Sequence, residues 1–308
     1  MRSYLLKRLL LTLPVLLGVS VLVFLFIHLI PGDPIEVMLG ESASTADRAA
    51  LRHQLYLDQP LAAQFGHFFV GLATGKLESI FYHKPISEMV FGRLGATFLL
   101  ALAAMAMACL FAIPLGVFAA LRRGTWADTA ATGFALFGVS VPNFWLGPML
   151  ILLFSLKLQW LPVTGRGGLG HLILPALTLG LSMTALLSRM TRMSLAEALA
   201  EPHLVAARAR GLAEFWVVAK HALRNAAVPI LTVIGLQFGA LLSGAIITET
   251  IFAWPGLGRL LLEAIQTRDF PLVQGCVLAI ALSYVMVNLL TDLLYTAVDP
   301  RVRLEGKR

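Results

Sequence analysis

Long uncharged apolar runs alternate with short polar segments along the whole chain. The runs cover residues 9–30, 96–121, 130–156, 172–188, 226–248 and 272–291. A helix needs roughly 20 apolar residues to cross about 30 Å of hydrocarbon, so the pattern predicts an all-α membrane protein with six transmembrane helices. At the chain's 13% charged fraction, the segment 96–121 would hold about three charges by chance, and it holds none. A charge at mid-bilayer costs about 2.5 to 3.5 kcal/mol on insertion scales, so that absence is informative. The first run follows Arg2, Lys7 and Arg8 as a signal peptide would. It is too long for one, and IHLIPGDP offers no small-residue cleavage site, so it reads as a retained anchor.

Between the runs the periodicity changes. In SASTADRAALRHQL, Ser44 and Asp47 fit a capping pattern and Ala50, Leu51 and Leu55 form an apolar face, which predicts a helix. A second helix follows Pro60, with Leu61, Phe65, Phe68 and Leu72 at helical spacing before Gly75. The segment TETIFAWPGLGRLLLEAIQTRDFPLVQ joins a Trp254-Pro255-Gly256 turn to a short amphipathic helix carrying Leu260, Leu261 and Ile265. Trp254 reads either as an interfacial anchor or as part of a gate, where Gly256 would allow unusual backbone geometry.

One stretch stays wet inside this apolar chain: VAARARGLAEFWVVAKHALRNAAVP, residues 205–229. Leu212, Phe215, Ala219 and Leu223 recur at helical intervals, while Arg208, Arg210, Lys220 and Arg224 fall largely off that stripe. The pattern predicts two amphipathic helices broken at Gly211. Three readings fit: an interfacial helix on anionic lipid, a connector charged for topology alone, or a helix docked in the groove of a soluble protein. The small residues of VAARAR favour close packing in a groove over lipid anchoring.

Charge then sets sidedness. With the N-terminus inside, the inner segments hold 15 basic and six acidic residues, the outer ones nine basic and ten acidic, and Asp292 sits near the end of the last span. The positive-inside rule therefore places both termini in the cytoplasm. The net charge of +7 follows from topology and implies no nucleic-acid partner. The two cysteines, Cys109 and Cys276, lie far apart in apolar runs and suggest packing rather than a disulfide framework.

The run AARARGL followed by HALRNAAVPILTVIGLQFGALLSGAIITETIFAWPGLGRLLLEAI resembles the membrane subunit of bacterial ATP-binding cassette importers. The branch it resembles takes up dipeptides, oligopeptides, nickel and glutathione. KRLL, VLVFLFIHLIPGDP, LDQPL, VSVPNFWLG, LQWLP, ILPALTLG and NLLTDLLYTAVDPRVR extend the resemblance over nearly the whole chain. It implies a type I importer transmembrane domain: residues 1–30 a cytoplasmic N-terminus and first span, and 31–92 a periplasmic segment with amphipathic helices. Residues 93–296 would form the core, with a coupling loop at about 189–225, and 297–308 a cytoplasmic tail.

In that family a cytoplasmic motif of Glu-Ala-Ala, three residues, Gly, nine residues, then Ile-x-Leu-Pro contacts the ATPase. Ala206, Ala207, Gly211 and Leu223 match by spacing, whereas Val205, His221 and Arg224 replace Glu, Ile and Pro. By resemblance Ala206, Ala207, Arg208, Arg210, Gly211 and Leu212 form the ATPase-coupling surface. GKLESIFYHKPISE departs from the acidic-glycine pattern usual after LDQPL, and Tyr56 stands where glycine is common. The implied partners are a homologous second permease, two ATP-binding cassette ATPase subunits, a periplasmic or lipid-anchored substrate-binding protein, and membrane lipid.

The chain carries no phosphate-binding loop. GLATGKL, residues 71–77, has the wrong spacing for one, so no catalytic residue is expected here, and ATP with Mg²⁺ is assigned to the partner subunits. The seven histidines form no local ligand pair, so no metal site is predicted. Asn143 after Pro142, Gln237 in the fifth run, and Trp254, Pro255 and Gly256 are the pathway or gate candidates. The function read from these features is half of the translocation pathway of an ATP-driven importer, with dipeptides or oligopeptides as the first substrate class. Nickel or glutathione import is the near alternative. An ion-coupled secondary transporter is the distant one; it would place ionisable groups at mid-membrane, which these runs lack. A membrane scaffold is a third possibility.

Overall fold

The computed structural model describes residues 2–29, 35, 44–54 and 56–298. Residues 1, 30–34, 36–43, 55 and 299–308 and the side chains of Arg2, Lys7, Arg8, Leu51 and Asp292 lie outside the described residues.

Every regular element among the described residues is helical. The N-terminal run forms α1 (Arg2–Leu29). Next, α2 (Thr45–Gln54) starts as expected, with Ser44 Oγ accepting from Asp47 N at 3.1 Å and donating to Asp47 Oδ2 at 2.7 Å. Helix α3 (Leu61–Thr74) ends at Gly75, whose φ of 68° closes the helix in the left-handed region. Helix α4 (Ile86–Leu121) begins ten residues ahead of the uncharged run that predicted it.

The run 130–156 forms two helices, broken at Pro142, the proline that the sequence places beside Asn143. Pro142 has no N–H to continue a helix and holds Val141 extended, at φ −92° and ψ 116°. Helix α5 (Trp126–Ser140) stops there, and α6 (Asn143–Leu150) restarts and widens into a π-helical stretch, Ile151–Lys157. Helix α7 (Leu169–Leu199) runs well past the expected end at 188. The wet segment supplies α8 (Pro202–Ala209) and α9 (Glu214–Trp216), the latter passing through a π-helical turn, Val217–Ala222, into α10 (Leu223–Gly244). The chain closes with α11 (Ile246–Ile251), α12 (Leu257–Gln266) and α13 (Phe270–Val298). By length and composition Ile86–Leu121, Leu169–Leu199, Glu214–Leu242 and Phe270–Thr291 can each cross a membrane. Thr12–Leu25 and Asn143–Lys157 are shorter apolar helices.

Helix α4 packs along α7, and small residues set how closely. A Cβ at Gly116 would lie 2.6 Å from Ser188 O, and one at Gly180 would lie 2.8 Å from Ala104 O. Lipid tails are as apolar as leucine, so such close backbone approach, rather than burial from water, drives helix association in a bilayer. These contacts make α4 and α7 parallel, whereas Gly235 beside Thr291 and Gly239 beside Tyr284 make α10 and α13 antiparallel. Arg122, Arg123, Arg189, Arg192 and the segment 201–224 consequently share one end of the bundle, called the basic end below. Leu187, Leu195, Leu204, Val217, Val218 and Ala222 form the core there. At the opposite end, the mouth, Ile86, Val90, Leu257, Leu260, Leu272 and Cys276 form another.

Candidate functional site

At the basic end, sequence dictates where α8 stops. Gly211 takes φ +80°, a conformation side chains rarely adopt. This lets Gly211 N donate to Arg208 O at 2.9 Å and Leu212 N to Ala207 O at 3.3 Å, the paired bonds that end a helix at a left-handed glycine. Arg208 then folds across the turn: its Nε donates to Glu214 Oε2 at 3.0 Å and its Nη2 to Glu214 Oε1 at 2.8 Å. The Glu214 carboxylate raises the pKa of Arg208 above the ordinary guanidinium value.

Which side of this segment is covered decides its use. Leu204, Val217, Val218 and Ala222 are buried against the chain's own helices. Ala206 and Arg210 are exposed and Ala207 is half-buried. The stripe expected to be the apolar face points away from the chain's own core: Leu212, Phe215 and Ala219 are exposed and Leu223 is half-buried. Val205 at 58% exposure, Phe215 at 69% and Trp216 at 57% leave large apolar side chains uncovered. Phe215 and Trp216 meet edge to face at 5.3 Å, so each steadies the other.

Behind this surface, an ion pair that sequence reading missed joins two distant segments. Arg192 on α7 donates from Nε to Asp128 Oδ1 at 2.5 Å and from Nη2 to Asp128 Oδ2 at 2.6 Å. Gly124 N donates to Asp128 Oδ2 at 3.1 Å. The Arg192 guanidinium, helped by that N–H, holds the Asp128 carboxyl below the usual carboxylate range despite burial. The helix that leads into α8 is therefore tied to the start of α5.

At the mouth the Trp-Pro-Gly turn is locked. Trp254 is only 1% exposed, so it is a core residue and not an interfacial anchor; its indole N–H donates to Ala96 O at 2.9 Å. The carboxylate of Glu249, also buried, accepts from Thr97 Oγ1 at 2.6 Å and from Arg259 N at 2.9 Å. Thr97 Oγ1 in turn accepts from Leu257 N at 2.7 Å. Helix α12 starts at Leu257 with no side-chain cap of its own, and Glu249 reaches in from α11 to supply one. Gly256 sits at the N-cap because a Cβ there would overlap the Glu249 carboxylate. Its backbone is ordinary, φ −97° and ψ 177°, so this glycine serves space rather than flexibility. The unusual backbone belongs to Ala253, φ 49°, and Pro255 is half-buried.

The remaining candidates sit apart from this lock, and no hydrogen bond among the described residues joins them to it. Gln237 bridges α10 to α7, its Nε2 donating to Met183 O at 3.3 Å, and its Oε1 is buried without a partner. Asn143 Oδ1 at the α5–α6 break is also buried without one. Of the amphipathic helix, Leu260 and Leu261 are buried as expected, while Ile265 is exposed. No group of three or more His, Cys, Asp or Glu placed to hold a metal ion occurs among the described residues. Some missed residues left a signal: Thr125-Trp-Ala-Asp128 is a helix-start pattern, and Asp269 directly precedes Phe270-Pro271. Nothing local in the sequence points Thr97 at Glu249.

Comparison with known proteins supplies the context. Residues 112–304 match the family described as "Binding-protein-dependent transport system inner membrane component". Residues 1–93 match its companion, "Binding-prot-dependent transport system membrane comp, N-term". The chain is 44% identical over 304 residues to the glutathione transport system permease protein GsiC of Salmonella choleraesuis (strain SC-B67), covering 98% of this chain and 99% of that one. It is 42% identical to GsiC of Escherichia coli (strain K12) with the same coverage. Two inward-facing crystal forms of the MetNI methionine ABC transporter share the fold at 16% identity, covering 70% of this chain and 99% of theirs, with TM-scores of 0.56 and 0.59.

Proposed function

The chain belongs to the family of binding-protein-dependent transport system inner membrane components, and from that premise we propose a division of labour for its two ends. As an importer permease it forms half of a translocation pathway in the bacterial inner membrane. The basic end faces the cytoplasm with both termini, and α8 with Ala206, Ala207, Arg208, Arg210, Gly211 and Leu212 seats in a cleft of an ATP-binding cassette subunit. ATP and Mg²⁺ bind in two such subunits, a similar second permease completes the pathway, and an extracytoplasmic binding protein delivers the solute. ATP binding and hydrolysis bias the helices between outward and inward access through the seated segment. One observation carries this reading: the apolar stripe through Leu212 and Phe215 is turned away from the chain's own core. Small peptides are the proposed cargo. The GsiC relatives favour glutathione, itself a tripeptide, within that class. Asn143, Gln237 and the Trp254–Gly256 turn remain the proposed pathway and gate positions.

Reconstitution tests it. Proteoliposomes holding both permeases should take up peptide only when the ATPase subunits and ATP are present; uptake driven by an ion gradient alone would replace this reading with a secondary transporter. Gly211→Pro demands a φ near −65° where the chain needs +80°. Together with Arg208→Glu, it should strip the ATPase subunits during purification and leave membrane insertion intact. Retained ATPase and undiminished uptake in both variants would refute the coupling role.

A further inference from the structure

The mouth carries a second tied turn, separate from the Trp-Pro-Gly lock, in the segment between α3 and α4. Glu78 and Pro85 form an isolated antiparallel bridge, and Ser79 N donates to Lys84 O at 2.9 Å while Ile86 N donates to Leu77 O at 2.9 Å. The loop is pinned from below by Asp269, 1% exposed. Its Oδ2 accepts from Ser79 Oγ and, at 3.1 Å, from Phe81 N. Its Oδ1 accepts from Leu272 N at 3.1 Å, which caps α13. Ser79 Oγ accepts from Tyr82 N at 2.9 Å. His83 and Arg268, both at φ 51°, hold left-handed backbone on the two sides of this junction, conformations that persist only where the surroundings over-determine them.

What this scaffold presents is apolar. Phe81 is 60% exposed and Tyr82 36%, and the rings meet edge to face at 5.1 Å. An ordered aromatic pair loses little conformational freedom on binding, which is how anchor residues gain affinity. The bilayer is a poor cover for it. Ile86 precedes Leu94, the first residue beyond the last charge ahead of the apolar run, by eight residues of helix. Along an upright α4 that is roughly 12 Å, more than the roughly 5 to 8 Å of headgroup layer on one face. Glu88 and Arg93 lie in that interval. Exposed Lys84 follows the pair after His83, and exposed Arg268 adjoins the carboxylate that pins it, against one exposed acidic residue, Glu78, at the base of the loop.

We infer that the Phe81–Tyr82 knuckle is the point at which the extracytoplasmic solute-binding protein docks, entering an apolar notch rimmed by carboxylates. This rests on the proposed importer function, which supplies the class of partner; the knuckle's rigidity, elevation and basic neighbours say where and with what chemistry it binds.

The test uses the full transporter in nanodiscs, titrated with the purified binding protein of the same system while ATP hydrolysis is followed. Phe81→Ser with Tyr82→Ser should raise the half-saturating binding-protein concentration at least tenfold and leave basal hydrolysis and thermal stability unchanged. Lys84→Glu should raise it severalfold, and more at low salt than at high salt. Ser79→Ala, which loosens the knuckle without touching the rings, should fall between wild type and the double variant. Unchanged half-saturation in the double variant overturns the inference, as does loss of the second permease on purification, which would make the knuckle a subunit contact. A wild-type complex whose hydrolysis ignores the binding protein would instead undo the importer reading.

Discussion

The two ends of the bundle handle their carboxylates in opposite ways. At the mouth, Glu249 and Asp269 are 0% and 1% exposed, and their described partners are hydroxyls and backbone N–H groups. At the basic end, Asp128 and Glu214 are answered by Arg192 and Arg208. Backbone strain divides the same way. Among the described residues, the left-handed ones other than glycine, Tyr56, His83, Gln159, Ala253 and Arg268, lie toward the mouth, while the basic end turns on Gly124 and Gly211. The mouth ties its two buried carboxylates within the chain and leaves the Phe81–Tyr82 pair uncovered. The basic end answers Asp128 and Glu214 with arginines and leaves Val205, Phe215 and Trp216 uncovered, as a surface does when another protein completes it.

The sharpest way to break this contrast is at Gly256. Gly256→Ala forces the Glu249 carboxylate out of its buried cap, and we expect a loss of roughly 3 to 5 kcal/mol, read as a large fall in unfolding temperature of the purified complex. Adding Glu249→Ala to that variant should cost far less than the sum of the two single changes, because both disrupt one interaction. Additive losses would mean that the two residues act separately.

At the basic end, Asp128→Asn should cost less, roughly 2 to 4 kcal/mol, since the Arg192 side chain keeps 29% exposure and water softens the loss. Exchanging the pair, Asp128→Arg with Arg192→Asp, should recover part of it. This end should also be the acid-sensitive one. The folded Asp128 pKa is depressed by Arg192, so the pair's contribution is complete above the ordinary carboxylate value of about 4 and is lost as pH falls through the lower folded value. Asp128→Asn should flatten that acid limb in a melting series, and an unchanged limb would assign it elsewhere. The smallest effect on stability, within about 0.5 kcal/mol, is expected for Phe215→Ser, because that ring is 69% exposed. The same variant should nonetheless lose ATPase subunits on purification, and it is this mismatch between stability and assembly that separates a docking face from a core.

Sequence made the helices legible wherever one apolar run met one element, as at α4, α7, α10 and α13. At 130–156 hydropathy alone showed one run and Pro142 marked the break, because hydropathy records lipid compatibility and not hydrogen-bond continuity. The wet segment announced itself through charge, and Gly211 through its place between two periodic stretches. Its covered face did not, since Leu212 and Phe215 look like core residues until the packing of Val217 and Val218 shows which side is taken. Gly256 was legible as a turn residue for the wrong reason, because the group that needs its space, Glu249, comes from a different helix. The ties between Thr97 and Glu249, Asp128 and Arg192, and Ser79 and Asp269 join residues 152, 64 and 190 positions apart, beyond the reach of any local pattern.

The central claim is that the uncovered basic-end surface faces the cytoplasm and is closed by an ATPase. Phe215→Cys, in a chain with Cys109 and Cys276 replaced by Ser, reports this directly through labelling with a membrane-impermeant thiol reagent. The account predicts labelling in inside-out vesicles only after the ATPase subunits are stripped, protection when they are added back, and no labelling of intact cells. Reaction from the outer face, or labelling indifferent to the ATPase, would contradict it.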